Sequence, residues 1–229
     1  LQERYLSRID GPVRIVAYLR RFDDFIEADY KQRAKNGLPT NGAEGFVAGR
    51  LAKIAADPEY MDLGAAFARI RAQVPRAGIV PRLYLREEMA GHNIITDFLS
   101  LFGVPPDDVP LPERAANRSL SRVTSEALGL FDERAGYDKK ARRRLGRLLQ
   151  ASGDTRLYGN GDVLTAAERA KVNDAFEARN AGSRAAHFPG RDRLFPPADV
   201  SGARGRGHPD ELAAFQHAVR MILRLARDA

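Results

Sequence analysis

Two adjacent arginines, Arg20 and Arg21, follow an apolar run and are well placed to bind a ligand. The run over 13–19 is almost continuously apolar, which is typical of a parallel strand covered on both faces. An amphipathic helix pattern begins directly after the arginines. Open α/β sheets bind ligands beyond the carboxyl ends of their strands, and a planar guanidinium grips two oxygens of an anion at once. This arrangement predicts a phosphate or sulfate site at the end of the strand.

The charge of the chain favours an anionic ligand without specifying its class. The 229 residues carry a formal net charge of +7, and only six of the 37 basic residues are lysine. Two explanations of that imbalance stay open, selection of arginine for oxyanion recognition and the codon bias of a GC-rich genome. The motifs of RRM, zinc-finger and basic-zipper proteins are absent, so we expect no nucleic-acid partner.

Several kinds of site and segment are disfavoured by the composition. The chain has no cysteine, which excludes disulfides, thiolate metal sites and a cysteine nucleophile. Its four histidines lie far apart and form no helical pair of metal ligands, so we expect no metal. No apolar run approaches the ~20 residues that a membrane span needs, and residues 1–10 lack the apolar core of a signal peptide. We therefore expect no membrane span and a cytoplasmic location.

Periodicity and turn signals predict a helix-rich α/β fold with a partial parallel sheet. A second strand is predicted over 79–85, where Pro81 favours an edge position or the beginning of the strand. The predicted helices lie over 1–9, 23–35, 43–56, 62–73, 90–102, 121–133, 138–150, 165–181 and 209–227.

The same elements predict the domain organisation. We expect a single domain over 1–229, with an α/β part over 1–120 and a mainly helical part over 121–229. Two strands do not form a stable sheet alone, so either further strands escape detection or the rest of the sheet lies in residues that this chain lacks. An exposed half-sheet favours self-association.

Several segments, in order along the chain, resemble the bacterial sulfotransferase family. YLRRFDDFIEADY, over 18–30, is similar to that family's Tyr-Leu-Arg-Arg-Gln-Asp-x-Phe-Leu-x-Ser-x-Tyr block, which is fairly specific. Weaker similarities follow in RLYLREEMAGHNIITDFLSLFGV over 82–104, in ANRSLS over 116–121, and near 176–180, 187–188 and 194–195. The resemblance covers roughly residues 12–195.

The resemblance implies a fold of the P-loop sulfotransferase type and a sulfuryl-transfer activity. Such enzymes move a sulfuryl group from the co-substrate 3′-phosphoadenosine 5′-phosphosulfate to a hydroxyl or amine, often on a glycan. By resemblance, Arg20 binds the 3′-phosphate of the nucleotide and Tyr84 lies beside its adenine. A serine that assists the arginine in the family is replaced here by Ala28. The expected partner is a carbohydrate or another hydroxyl acceptor.

One part of the family pattern is missing. The loop that holds the 5′-phosphosulfate, Lys-x-Gly-Thr-Thr between a strand and a helix, precedes the arginine strand in the family and does not occur in this sequence. Such a loop neutralises charge on the transferring group. The chain is therefore either a C-terminal portion of a longer sulfotransferase or a degenerate, non-catalytic relative. We expect it to be inactive alone, and the catalytic base stays unknown.

A second function class depends on a basic segment. One predicted helix carries six cations, Lys139, Lys140, Arg142, Arg143, Arg144 and Arg147. In one interpretation they form a binding patch for an acidic glycan or for the phosphates of the cofactor. In the other they form a solvated helix face that pairs with Asp132, Glu133 and Asp138. The alternative function is therefore a non-enzymatic helical module that binds an acidic glycan or protein.

Other polar residues have ordinary structural interpretations. Glu87 and Glu88 are adjacent and point different ways, which favours solvated side chains over an acid–base pair. His92 is a weak candidate for a general base, and Arg21 is expected to pair with a surface carboxylate. GNGD, over 159–162, predicts a turn, because a phosphate-binding loop needs a preceding strand and a following helix with lysine.

Overall fold

The computed structural model describes residues 11–111, 118–198, 206–207 and 209–227. Within these ranges the protein is helix-rich with a small parallel sheet, as the sequence predicts. The helix predicted over 1–9 lies outside the described residues. The elements are β1 (Val13–Leu19), α1 (Phe22–Lys35), α2 (Gly42–Ala56), α3 (Leu63–Gln73), β2 (Ala77–Leu83), α4 (Ile94–Ser100), α5 (Arg122–Gly129), α6 (Lys139–Ala151), α7 (Ala166–Arg179), α8 (Ala181–His187) and α9 (Glu211–Arg227).

The sheet contains two strands among the described residues, and they run parallel. Their register runs from Val13 opposite Ala77 to Leu19 opposite Leu83, which confirms the predicted parallel strand. Strand β2 begins and ends two residues before the predicted range. Pro81 lies in the middle of β2, where a sheet of two strands tolerates a missing N–H because each strand has an open side.

Helix α1 begins and ends at local signals that the sequence carries. Asp23 and Asp24 lie in its first turn, where negative charge complements the helix dipole. At the other end Gly37 has a φ of 66°, in the left-handed region that favours glycine. The Gly37 amide donates to the Ala34 carbonyl over 2.9 Å. The helix ends at this turn, as predicted.

The helix predicted over 90–102 is wrong at both ends. The helix in the structure is α4, which is preceded by Gly91 and His92 with φ angles of 63° and 53°. These left-handed residues cannot continue a right-handed helix. Asn93 then caps α4, its side chain accepting a hydrogen bond from a first-turn amide over 2.8 Å.

The helix predicted over 165–181 is interrupted at Asn180. Its buried side-chain amide donates to the carbonyls of Met61 and Phe176, over 2.8 and 2.9 Å, and its oxygen accepts from the Leu63 amide over 2.7 Å. These bonds hold Asn180 between α7 and α8. Its main partners are distant in sequence, so local periodicity carries no sign of the break.

The described residues form two compact units, each built from segments that are distant in sequence. The first contains residues 11–22, 53–111 and 172–197. The second contains residues 23–52, 118–171 and the described residues after 197. Each unit therefore takes segments from both parts of the expected domain.

Each unit has its own apolar core. In the first, Phe22 stacks on Phe176 with ring centroids 5.8 Å apart, and Tyr60 packs edge-on to Phe22. In the second, α5, α6 and α9 pack together with residues of the adjoining segments. The buried members of this core are Leu120, Ala127, Leu128, Phe131, Leu145, Leu149, Leu157, Ala218 and Ile222.

Candidate functional site

Arg20 and Tyr84 lie at the same edge of the sheet. Each is the first residue after its strand, and the strand ends, Leu19 and Leu83, are register partners. The Tyr84 amide donates to the Leu19 carbonyl over 2.7 Å, which carries the strand pairing one step further. Arg20 is exposed and Tyr84 is 42% exposed. The parallel pairing thus brings the two residues expected to bind the cofactor together at the carboxyl edge.

Arg20 forms no ion pair with any residue that the structure describes. Asp23, which is close to Arg20 in sequence, is bound to Arg169 in the second unit over 2.7 Å. Arg21 differs from Arg20, because it is engaged by other groups of the protein. Arg20 therefore has a guanidinium that is available to an anion.

A buried carboxylate, that of Asp97, ties α4 to both strands next to this edge. Its side chain is 1% exposed. It accepts hydrogen bonds from the Tyr18 hydroxyl over 2.6 Å, from Arg82 Nε over 2.6 Å and from the Ala90 amide over 3.0 Å. Tyr18 and Arg82 are register partners on β1 and β2. The arrangement fixes both strand ends relative to α4.

The electrostatics of this cluster favour a structural role. Burial raises the pKa of Asp97, but the hydrogen bonds from Arg82, Tyr18 and the Ala90 amide outweigh it and hold that pKa below its usual value. Burial, followed by the hydrogen bond to Asp97, raises the pKa of Tyr18 to about 12. Arg82 is therefore committed to Asp97 at neutral pH.

Arg20 and Tyr84, at neighbouring strand ends, are residue types that nucleotide sites use. Arginine binds phosphate oxygens through two N–H groups, and an aromatic ring stacks on a base. An arginine side chain offers several N–H donors and no acceptor, so Arg20 is suited to bind an anion.

Two other residues weighed for catalysis have structural partners. Glu88 is exposed, as expected, and forms two surface hydrogen bonds with Arg191 over 2.7 and 2.8 Å. His92 is exposed, and its Nδ1 lies 3.2 Å from the carbonyl of Arg86. Among the described residues, these contacts point to structural roles for both side chains.

The basic residues predicted on α6 lie in the second unit, and four of them line a cavity of about 520 Å³. The four are Lys139, Arg142, Arg143 and Arg147. The expected pairing with nearby acids is not found among the described residues. Asp138 instead caps α6, its carboxylate accepting from the Ala141 amide over 2.7 Å, and Asp132 accepts from the Arg134 amide over 3.0 Å.

A network of buried charges in the second unit was not predicted. Arg169 of α7 is 4% exposed and pairs with the buried side chains of Asp23 and Glu27 on α1. Lys31 extends the network, with its Nζ 2.8 Å from Glu27 and 2.7 Å from Asp162. Burial raises the pKa of Glu27, but the charges of Lys31 and Arg169 outweigh it and lower that pKa.

The segment over 159–162, predicted as a turn, anchors this network. The Gly159 carbonyl accepts from Lys31 Nζ over 2.7 Å, and the Gly161 amide donates to Glu27 over 2.6 Å. A sequence signal for the network exists on α1. Charged side chains at 23, 27 and 31 share a helix face with apolar residues, and charged residues are rarely buried unless they are paired.

Two kinds of feature are absent from the described part of the chain. No group of three or more histidine, aspartate or glutamate side chains is arranged to hold a metal ion. None of the helices there is long and apolar enough to cross a membrane.

Comparison with known proteins adds one distant likeness. Neither a family model nor a solved structure matches the chain. A stretch of 120 residues, 52% of this chain, is 30% identical to an uncharacterized protein of Archaeoglobus fulgidus. That stretch is 30% of the archaeal protein, so the chain spans about a third of the length of this curated relative. The likeness assigns no function.

Proposed function

We propose that the carboxyl edge of the sheet binds a nucleotide with a ribose 3′-phosphate. The protein then acts in sulfuryl transfer from 3′-phosphoadenosine 5′-phosphosulfate to a hydroxyl of a carbohydrate or small molecule. The proposal is carried by one observation: Arg20 and Tyr84, the two positions that the family resemblance singles out, are neighbours at this edge. A P-loop sulfotransferase fold is part of the same proposal.

In this proposal, Arg20 holds the 3′-phosphate and Tyr84 stacks on the adenine. The Asp97 cluster keeps the two strand ends together, so that both side chains stay in reach of one ligand. Ala28 occupies the position of the family's serine, and the loss of one neutral hydrogen bond lowers the affinity by about 1 kcal/mol. Recognition of the nucleotide therefore survives this substitution.

The proposal assigns nucleotide binding, and not turnover, to the residues of this chain. The co-substrate supplies an activated sulfuryl group when it is bound. Groups that would neutralise charge on that sulfuryl group are missing here, because the sequence has no Lys-x-Gly-Thr-Thr segment. Rapid transfer from the sulfate donor by this chain alone would contradict the assignment.

Calorimetric titration with 3′-phosphoadenosine 5′-phosphate tests the role of Arg20. We expect binding by the wild type, and weaker binding of adenosine 5′-phosphate, which lacks the 3′-phosphate. Arg20→Ala should abolish that preference, since a hydrogen bond to a charged group is worth about 1.5–3 kcal/mol. Arg14→Ala, which removes an exposed arginine at the opposite end of β1, is the matched control and should retain the preference.

The same titration separates stacking from other roles of Tyr84. Tyr84→Phe keeps an aromatic ring and should bind the nucleotide as the wild type does. Tyr84→Ala should weaken binding by about 1–3 kcal/mol, the usual value of one aromatic–base stack. If the wild type shows no preference for the 3′-phosphate, or if Arg20→Ala leaves the preference unchanged, the proposed function is wrong.

A further inference from the structure

The cavity in the second unit is lined by basic and amide side chains, and no acidic or aromatic residue is among its described lining residues. Helix α6 contributes the four cations named above, and the C-terminal part of α1 contributes Gln32 and Lys35. Leu38, Leu120 and Leu128 form its apolar part. Its volume of about 520 Å³ lies within the usual range for ligand sites.

The lining cations have no acidic partner within the described ranges. Arg142 donates to the main-chain carbonyl of Asn36, and its Nε is buried without a hydrogen-bond partner in that part of the chain. Lys35 is half-buried, and its burial lowers its pKa. Like charges around one cavity disfavour one another. A bound anion would relieve this repulsion.

Helix α6 carries cations at the end where they stabilise a helix least. Lys139, Lys140 and Arg142 lie in its first turn, which contains no acidic residue. The N-terminal end of a helix dipole is positive, so cations there lower helix stability. The N-cap carboxylate of Asp138 offsets one charge only. Helix stability therefore does not account for the cations at the beginning of α6. Binding of an anionic ligand would account for them.

The spacing of the cations fits an extended anion. Lys139, Arg143 and Arg147 follow one another at intervals of four residues and share one face of α6 over about 12 Å. The side-chain amides of Gln32 and Gln150 both donate and accept hydrogen bonds, as sugar hydroxyl groups require. We infer that this cavity binds an acidic oligosaccharide, with its carboxylate or sulfate groups on the cations and its hydroxyl groups on the amides.

Two other polyanions fit this cavity less well. Single-stranded nucleic acid binds through aromatic side chains on which its bases stack, and none lines the cavity in the described residues. An anionic membrane surface binds helices that insert an apolar face. The apolar face of α6 is instead buried in the core of the unit, with Leu145 at 2% and Leu149 at 0% exposure.

Calorimetric titration of the whole chain with a sulfated, uronate-containing hexasaccharide at physiological ionic strength tests the inference. We expect binding by the wild type and at least about tenfold weaker binding by the double variant R143Q/R147Q. The matched control is K140Q/R144Q, which removes the same charge from exposed positions of α6 outside the cavity. It should bind within about twofold of the wild type. Circular dichroism melting verifies that each variant folds.

Three outcomes would overturn the inference. Equal weakening by the two double variants would mean that the hexasaccharide senses only the overall charge. Binding of an uncharged hexasaccharide with the same affinity would mean that the cations play no part. Tighter binding of a single-stranded oligonucleotide or of anionic vesicles would assign the cavity to a different class of ligand.

The inference is independent of the proposed function, because the cavity and Arg20 belong to different units. R143Q/R147Q should therefore bind 3′-phosphoadenosine 5′-phosphate as the wild type does. If it loses nucleotide binding while Arg20→Ala keeps it, the cavity is the nucleotide site, and both the inference and the role of Arg20 fail. If only Arg20→Ala loses nucleotide binding, the two sites are confirmed as separate.

Discussion

The carboxylate of Asp97 shows how a single residue supports the candidate site. It receives hydrogen bonds from one side chain on each strand and from the main chain before α4. Because the Asp97 carboxylate is buried, its negative charge is stabilised by those donors, and a buried charge that loses its partners is strongly destabilising. Arg20 and Tyr84 follow directly after the two strands that Asp97 joins. Their alignment therefore depends on Asp97, which is not adjacent to either residue in the sequence.

We predict that Asp97→Asn destabilises the protein by about 2–3 kcal/mol. The amide keeps the shape of the side chain but replaces an acceptor oxygen with a donor that faces Arg82 or the Ala90 amide. Urea unfolding measures the change. Asp107→Asn, at an exposed position, should alter the unfolding free energy by less than about 0.5 kcal/mol. Equal stability of the two variants would mean that Asp97 does not organise this region.

At the scale of elements, α1 carries two kinds of buried side chain on one face. Ile26 and Tyr30 are fully buried. Glu27 and Lys31 lie beside them and are satisfied by α7 and by the segment over 159–162. The helix itself follows from local signals. The partners of its charged residues come from other parts of the chain, which local patterns do not identify.

Helices α1 and α5 approach closely at Gly129, and this contact yields a prediction. A Cβ atom added at Gly129 would lie 2.3 Å from the Ala34 carbonyl oxygen, a main-chain atom that cannot move aside alone. Gly129→Ala should therefore destabilise the protein by about 1–3 kcal/mol, as overpacking does. Gly49→Ala is the control, since a Cβ at this exposed position of α2 meets nothing within 4 Å. It should stabilise the protein by up to about 1 kcal/mol through helix propensity.

Urea unfolding of both glycine variants distinguishes packing from propensity. The two substitutions are chemically identical and both lie in helices. Opposite signs of the change in unfolding free energy are the expected result. A stabilising Gly129→Ala would show that α1 and α5 are not held at the distance described.

For the whole molecule, the pKa shifts predict how stability depends on pH. The carboxyls of Glu27, Asp97, Asp154 and Glu168 all have pKa values below their usual ones. For Asp154 the leading cause is the hydrogen bond from Arg156. For the other three, burial acts in the opposite direction and is outweighed by cationic partners and hydrogen bonds. Each group therefore stabilises the folded state in its ionised form.

We predict that the urea midpoint falls steeply as the pH drops below the ordinary carboxyl values of 3.8 and 4.5. The unfolded chain takes up protons there before the folded one does, so stability is present above those values and is lost below them. Tyr18 acts at the other end of the scale. Its pKa is raised from 10.0 to about 12, so its contribution is lost as the pH rises through that interval.

Unfolding curves at acidic, neutral and alkaline pH measure this profile. Tyr18→Phe should reduce the loss of stability on the alkaline side, because phenylalanine has no proton to lose. It should also weaken the acid dependence, because the Tyr18 hydroxyl helps to lower the pKa of Asp97. A midpoint that is the same at pH 3 and pH 7 would contradict the assignment of these carboxylates to stabilising pairs.

The elements whose signals act within a few residues are predictable from local sequence. The strand β1, the beginning of α1 at its acidic first turn and its end at Gly37 all follow from periodicity, charge and backbone conformation. The almost continuously apolar strand also predicted a parallel sheet. Arg20 and Tyr84 were predicted by resemblance, and strand pairing explains why they lie together.

Features that depend on partners from distant segments become visible only in the folded protein. The break at Asn180 arises from hydrogen bonds to Met61 and Leu63. Arg169 is buried because it pairs with residues of α1. Gln32 and Lys35 line one cavity with the cations of α6 although the two helices are distant in sequence. A local pattern encodes the backbone preference and polarity of each residue. Which buried charge meets which partner is settled only when helices distant in sequence pack and exclude water, because an unpaired buried charge is too costly to persist.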